Sequence, residues 1–213
     1  MSKFGIALTT IALLGFAAPA WGAVKAEPAV DIARLVPAQP SGSRAEQVGV
    51  VVFFDFSPAS RAMLKRLARW AANAGNEVVI DREPLVTPIS SPLARAFMAA
   101  RTLGIAGPVR DGLYNIRPDS AHPELTHRAL ARLFQSWGIG PLEFNAALDS
   151  QATRNGFIRA QSLSERYNIT RAPAIVVDGR WRLTLVKPDA LATLFDDLDQ
   201  KVGKASLIAS ENR

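Results

Sequence analysis

A nearly continuous run of apolar residues in the first third of the chain predicts a buried strand. Val48 to Phe56 consists of valine and phenylalanine apart from one glycine and one aspartate. A run without polar alternation is typical of a strand covered on both faces of its sheet. The spacing then becomes helical, since Leu64, Leu67 and Ala71 fall on one helical face. We predict a helix over residues 61–74.

Short predicted strands follow this helix and recur near the end of the chain. Residues 77–80 complete a strand–helix–strand unit, which implies a parallel pair with a right-handed crossover. The strand pattern returns at 174–177. There the dipeptide Asp178-Gly179 predicts a tight hairpin turn, with 180–185 as the partner strand. A last helix is expected from Pro188 to about Lys201.

Between these two strand units the spacing is helical throughout. The order predicts an α/β fold in which a helical insertion at about 90–168 separates the two halves of one sheet. One domain is expected at 47–202, followed by a flexible tail at 203–213. The predicted helices of the insertion are 93–103, 125–137, 141–148 and 152–167.

The N-terminus shows the pattern of a secretory signal peptide at residues 1–22. Lys3 supplies a short positive region, Ile6 to Phe16 an apolar core, and small residues around Ala20 suit cleavage. The apolar core is short for a membrane span, although an uncleaved anchor stays open as the alternative. We therefore expect export. Residues 23–46, rich in alanine, proline, serine and glycine, are expected to form a linker or N-terminal arm.

The amino-acid composition excludes several classes of function. The 213 residues include no cysteine, which excludes disulfides, thiol redox chemistry and thiolate metal sites in this chain. The net charge is +6, but the basic residues are spread along the sequence rather than grouped. Dispersed charge favours a solvated surface over nucleic-acid binding, so no nucleic-acid partner is expected.

The junction between the apolar strand and the first helix carries the most informative motif, Ser57, Pro58, Ala59 and Ser60. Serine is a favoured helix cap, and proline suits the first helical turn. Thiol–disulfide oxidoreductases place Cys-Pro-X-Cys at a junction of this kind, and the motif resembles theirs with serine in both end positions. Asp55 precedes the motif, and we expect it to have a strand-end or helix-capping role.

A second motif lies near the other end of the chain, where Pro173 stands directly before the strand at 174–177. Proline there is unusual because it removes a donor from the strand ladder. Together with the Phe-Phe-Asp-Phe-Ser-Pro segment, it makes residues 48–198 resemble the periplasmic DsbA-like thiol:disulfide interchange proteins. The resemblance implies a thioredoxin-like core with an inserted helical subdomain, a cis-proline at Pro173 and a periplasmic location.

The resemblance also defines what this chain lacks. Ser57 and Ser60 occupy the cysteine positions if Pro58 aligns with the family proline. In an alignment without a gap, Pro58 and Arg61 occupy those positions instead. Neither alignment places a sulfur atom there. Disulfide exchange requires a thiolate, so we expect a redox-inactive protein without cofactor. Ala172 and Pro173 would retain a peptide-binding edge. The expected partners are extended segments of envelope or secreted proteins, with membrane contact only through the uncleaved signal peptide.

Three alternatives stay open. Kappa-class glutathione transferases and 2-hydroxychromene-2-carboxylate isomerases are similar to this chain in Phe-Asp-Phe-Ser-Pro, which would make Ser57 an activator of bound glutathione. The signal peptide and the hairpin sequence argue against that reading. A structural protein whose groove stays empty is the second alternative. The third, a metal site, is disfavoured because its two histidines lie five residues apart; its candidate ligands are Asp119, His122, Glu124 and His127.

Overall fold

A computed structural model describes residues 27–38 and 47–211. The predicted signal peptide at 1–22 therefore lies outside the described residues. Five strands form one mixed sheet in the order β1–β5–β4–β2–β3. Of the pairs in this sheet, β2 with β3 is parallel, and the other three pairs are antiparallel. The strands are β1 Val30–Arg34, β2 Val48–Phe54, β3 Val78–Pro84, β4 Ala174–Val177 and β5 Trp181–Leu185.

Strand β2 is buried over its whole length, as the unbroken apolar run predicts. Its alternate residues enter two separate clusters of buried side chains. Val50, Val52 and Phe54 pack in the large cluster shared with the helices, whereas Val51 and Phe53 pack in a smaller cluster on the opposite face of the sheet. Because side chains alternate across a strand, only a strand covered on both faces can be apolar at every position.

The helices cover both faces of this sheet. The helix α1, Pro58–Ala74, connects the parallel strands β2 and β3, which confirms the strand–helix–strand unit. In the described part of the chain, no helix is long and apolar enough to cross a membrane. The insertion comprises α2 Ser91–Thr102, α3 Ala106–Leu113, α4 Pro123–Gln135, α5 Pro141–Asp149 and α6 Gln151–Arg166, and α7 Leu191–Glu211 closes the fold.

The hairpin between β4 and β5 forms as predicted. Asp178 has φ 50° and Gly179 has φ 60°, so both turn residues adopt the left-handed conformation. A two-residue turn with two positive φ values is the type I′ turn, whose twist matches that of the flanking strands. Aspartate and glycine are among the residues that adopt this conformation at low cost. The turn is closed by the amide of Arg180, which donates to the Val177 carbonyl at 2.9 Å.

Residues 30–34 depart from the sequence prediction, because they form a strand where a linker or arm was expected. They pair antiparallel with β5, with Val30 opposite Leu185 and Arg34 opposite Trp181. The side chain of Val30 is buried, whereas Ile32 is 40% exposed. An edge strand this short has little apolar periodicity of its own, since its backbone partner supplies most of its stabilisation.

Two helical segments also differ from the prediction. The tail predicted as flexible from Gly203 continues α7 to Glu211, because Ala205 is buried against the main cluster. Helix α3 was missed, since two glycines and a proline mask its pattern. One of these glycines lies in a close contact: a Cβ at Gly112 would be 2.3 Å from Cδ1 of Leu133, so the Leu133 side chain would have to move. Residues Val109 and Leu113, four apart and fully buried, anchor α3.

An ion cluster around the buried Glu83 joins the helical insertion to the sheet. Glu83 of β3 is fully buried, and both of its carboxylate oxygens lie 3.3 Å from Nη1 of Arg101 in α2. Arg159 of α6 also donates to Glu83, and its Nη2 lies 2.5 Å from Oδ2 of Asp81. Burial raises the pKa of Glu83, although both guanidinium groups act in the opposite direction. The insertion is thus held through a carboxylate whose ionisation is disfavoured by burial.

We expect Glu83→Gln to change how stability depends on pH. The native state holds the Glu83 proton to a higher pH than the unfolded chain does, because the pKa of a glutamate in an unfolded chain is about 4.3. Between the two pKa values the native state binds more protons, so wild-type stability falls as pH rises. Urea unfolding should therefore show wild type losing stability relative to Glu83→Gln across that window. The exposed Glu143→Gln is the control, and parallel curves for wild type and Glu83→Gln would contradict the expectation.

Candidate functional site

The junction between β2 and α1 is a capped helix start. Ser57 has extended backbone angles, φ −88° and ψ 158°, and its hydroxyl accepts a hydrogen bond from the Ser60 amide at 3.3 Å. Pro58 follows as the first helical residue, where its missing N–H leaves no intrahelical bond unmade. The capping role predicted for Ser57 is confirmed. The hydrogen bond between the Ser57 hydroxyl and the Ser60 amide also holds the two serines of the motif at the same end of the helix.

Asp55 joins these two serines through one carboxylate oxygen. The hydroxyls of Ser57 and Ser60 both donate to Oδ1 of Asp55, each at 2.5 Å. The Asp55 amide in turn donates to the Ser60 hydroxyl at 3.1 Å. Ser60 is fully buried, and Ser57 is half-buried. The sequence predicted a strand-end or capping role for Asp55, but it did not indicate that the carboxylate bridges both serines.

This network determines what the motif can do chemically. Both serine hydroxyl protons are committed to Asp55, so its carboxylate links the two ends of the Ser57–Ser60 motif. A hydroxyl cannot form a mixed disulfide, and the chain contains no cysteine to supply a thiolate. The Ser57 proton also points at Asp55 rather than at an open site. The geometry therefore does not favour Ser57 as the activator of a bound thiol.

Pro173 lies at the same end of the sheet as this network. Phe53 of β2 pairs with Ala174 of β4 in antiparallel register, which puts Pro173 one residue further along, toward Asp55. The Ala172–Pro173 peptide bond is cis, and the Pro173 carbonyl accepts from the Leu185 amide at 3.0 Å. In the described part of the chain, no group bonds to the amide or carbonyl of Ala172.

A cavity of about 620 Å³ lies between the start of α1 and the helical insertion. Its polar lining includes Asp55 and Ser57 from the junction, Arg61 from α1, and Tyr114 and Arg117 from the segment after α3. The Arg61 guanidinium lies 5.5 Å from the centre of the Tyr114 ring. Burial raises the pKa of Tyr114. Sequence analysis missed this grouping, because residues more than fifty positions apart gave no local signal.

The histidines of the insertion have local roles. His122 lies with its Nδ1 3.3 Å from Oδ2 of Asp119, and Oδ1 of Asp119 accepts the His122 amide at the start of α4. The His127 ring packs at 5.4 Å from the ring of Phe144. The structure does not bring the two histidines to a common centre with Glu124, since no group of three candidate ligands converges in the described residues.

Fold and site together define a thioredoxin-fold protein with a helical insertion and with no cysteine at the junction of β2 and α1. Residues 29–199 match the DSBA-like thioredoxin domain family, and the chain belongs to that family. The thiol:disulfide interchange protein DsbA of Burkholderia cepacia is 27% identical over 180 residues, covering 82% of this chain and 85% of that protein. The predicted family and fold class are therefore confirmed.

Two solved structures establish the likeness of the fold. Oxidoreductase DsbA from Xylella fastidiosa superposes with a TM-score of 0.67 at 22% identity, covering 82% of this chain and 95% of that one. Pseudomonas aeruginosa DsbA also gives a TM-score of 0.67, at 20% identity, covering 84% of this chain and 94% of that one. At these identities the superposition reports the shared fold alone.

Removing the bridging carboxylate should destabilise the protein. We expect Asp55→Ala to lower the free energy of unfolding by about 1–3 kcal/mol, because the buried Ser60 hydroxyl loses its acceptor. Asp196→Ala, an exposed aspartate of α7, should change stability by less than about 0.5 kcal/mol. Urea unfolding followed by circular dichroism measures both, and an Asp55→Ala effect no larger than the control would show that the network is not stabilising.

Introducing cysteine into the Ser57–Ser60 motif should produce thiol–disulfide activity if this chain differs from redox-active family members in the sulfur atoms alone. We expect the double variant Ser57→Cys, Ser60→Cys to form an intramolecular disulfide and to reduce insulin with dithiothreitol, because a helix N-terminus favours a thiolate. Wild type should show no turnover above background. The single variant Ser57→Cys is the control, since it lacks the resolving thiol. A double variant that folds but stays inactive would mean that more than sulfur has been lost.

Proposed function

We propose that this chain is an exported, redox-inactive member of its family that binds extended segments of envelope or secreted proteins. One observation carries the proposal: the backbone amide and carbonyl of Ala172 are unpaired among the described residues, next to cis-Pro173. They lie at the sheet end that also holds Ser57 and Asp55.

Unpaired backbone groups at a sheet end offer a place for strand addition. An extended segment can exchange hydrogen bonds with one donor and one acceptor on the same residue, which is how peptides add to an exposed strand. Ala172 is half-buried and packs beside the smaller cluster, so its backbone is held in place before a ligand arrives. Because the Pro173 carbonyl already accepts from Leu185, the available groups are those of Ala172.

The absence of sulfur changes the kind of complex that such an edge forms. A thiolate would capture a bound segment as a mixed disulfide, whereas the serine hydroxyls here cannot. The complex is therefore held by non-covalent contacts alone, and its lifetime is set by the dissociation rate. A reversible, sequence-tolerant contact of this kind suits a binding or assembly role rather than catalysis of disulfide exchange.

The N-terminal pattern supports export, and the family resemblance supports the periplasm as the location. A short positive region, an apolar core and small residues precede the fold, which is the order of a secretory signal peptide. Partners in this location would meet the protein as unfolded or extended chains after crossing the membrane. The partner class proposed here follows from that location and from the geometry of the Ala172 edge.

We expect binding of an unfolded polypeptide to depend on the Ala172 edge. The probe is fluorescently labelled, reduced and carboxymethylated α-lactalbumin, which stays unfolded and has no free thiol. Pro173→Ala should weaken binding, measured by fluorescence anisotropy, because proline restricts φ at this position and alanine would leave the backbone beside Ala172 less fixed. Pro141→Ala, at the exposed start of α5, is the matched control and should bind like wild type.

A backbone-modified ligand separates strand addition from other contacts. A short apolar peptide should compete with the probe, and its N-methylated form, which lacks amide donors on one edge, should compete about tenfold less well. Equal competition by both peptides, or unchanged binding in Pro173→Ala, would overturn the proposed function.

A further inference from the structure

The cavity beside the motif is distinct from the Ala172 edge. Its lining includes Asp55 and Ser57 but neither Ala172 nor Pro173. Its volume of about 620 Å³ is that of a small-molecule site rather than of a packing defect. The cavity opens on the side of the motif that faces the helical insertion, so a ligand there and an extended segment at Ala172 would use different surfaces.

The charged lining of this cavity is unbalanced. Arg61 is half-buried, and within the described residues none of its side-chain nitrogens has a hydrogen-bond or ion-pair partner. Its Nε is fully buried. Arg117 at the rim also makes no described ion pair. Among the described residues that line the cavity, Asp55 is the sole acidic one, and its Oδ1 already accepts from both serines. Two cations and one anion leave one surplus positive charge.

A half-buried cation without an anion is energetically unfavourable unless a ligand or solvent compensates it. The face of the Tyr114 ring supports the guanidinium of Arg61, but an aromatic face compensates less of the charge than a carboxylate does. The Tyr114 hydroxyl is itself buried without an acceptor in the described chain. This wall of the cavity therefore holds donors that lack acceptors.

The remaining walls are mainly apolar. Leu85 and Leu93 are buried beneath the cavity, and Ile89 at its rim is 68% exposed. Ile116 and Phe56 complete the apolar part of the lining. An exposed isoleucine next to unpaired cations fits a ligand that has one charged end and an apolar body.

We infer that this cavity binds a carboxylate attached to an apolar group, with the carboxylate at Arg61 and the apolar group against Leu85, Ile89 and Leu93. A single surplus positive charge favours a singly charged anion over a phosphate dianion. The carboxylate can come from a small-molecule acid or from the C-terminus of a polypeptide. Both sources share the same recognition by the guanidinium of Arg61.

The test compares a carboxylate with its neutral amide. Isothermal titration calorimetry at low ionic strength should show that octanoate binds the folded protein and that octanamide binds at least about tenfold more weakly. Arg61→Gln should weaken octanoate binding by a similar factor and leave octanamide unchanged. Arg69→Gln, an exposed arginine on the same helix, is the matched control. If Arg61→Gln does not fold, Arg117→Gln replaces it and should weaken octanoate several-fold.

Two further measurements identify the source of the carboxylate and separate this cavity from the Ala172 edge. A peptide ending in Leu-Phe with a free carboxylate should compete with octanoate, and its C-terminal amide should not; whichever acid binds more tightly identifies the natural source. Pro173→Ala should leave octanoate binding unchanged, which distinguishes this inference from the proposed function. Equal binding of octanoate and octanamide, no octanoate binding at millimolar concentration, or loss of binding in Pro173→Ala would overturn it.

Discussion

The burial of β2 on both faces is the constraint on which the rest of the structure depends. Every side chain of Val48–Phe54 is buried, and the strand is paired on both edges, with β3 and with β4. Its register is held by backbone pairing on both edges and by the different sets of side chains that fill the clusters on its two faces. Its end is therefore held at one position, and that end carries Asp55, the start of α1 and the neighbouring Pro173.

At that end, a polar network replaces the sulfur chemistry of the family. The Asp55 carboxylate accepts from both serine hydroxyls, and the backbone amides of Asp55 and Ser60 close the network. A disulfide can open and close by exchange, whereas hydrogen bonds to a carboxylate cannot transfer to a substrate sulfur. The strand before the motif, the helix after it and Pro173 beside it are present, whereas the sulfur that disulfide exchange requires is absent from the chain.

The helical insertion gives the site its second surface. Glu83 holds α2 and α6 against β3 through Arg101 and Arg159, and α2 contributes Leu93 to the lining of the cavity. The fold thus presents a backbone edge on one side of Ser57 and a charged cavity on the other. The lining of the cavity includes neither Ala172 nor Pro173, so the two surfaces are formed by different residues.

Local signals in the sequence determined β2, the Ser57 cap, the Asp178–Gly179 turn and the family, since each depends on residues close together in the chain. The edge strand β1 and helix α3 were decided by tertiary contacts, because their own patterns are weak. The same holds for the bridging role of Asp55 and for the pairing of Arg61 with Tyr114. Those features depend on which side chains meet across the fold, and composition and spacing do not encode that information locally.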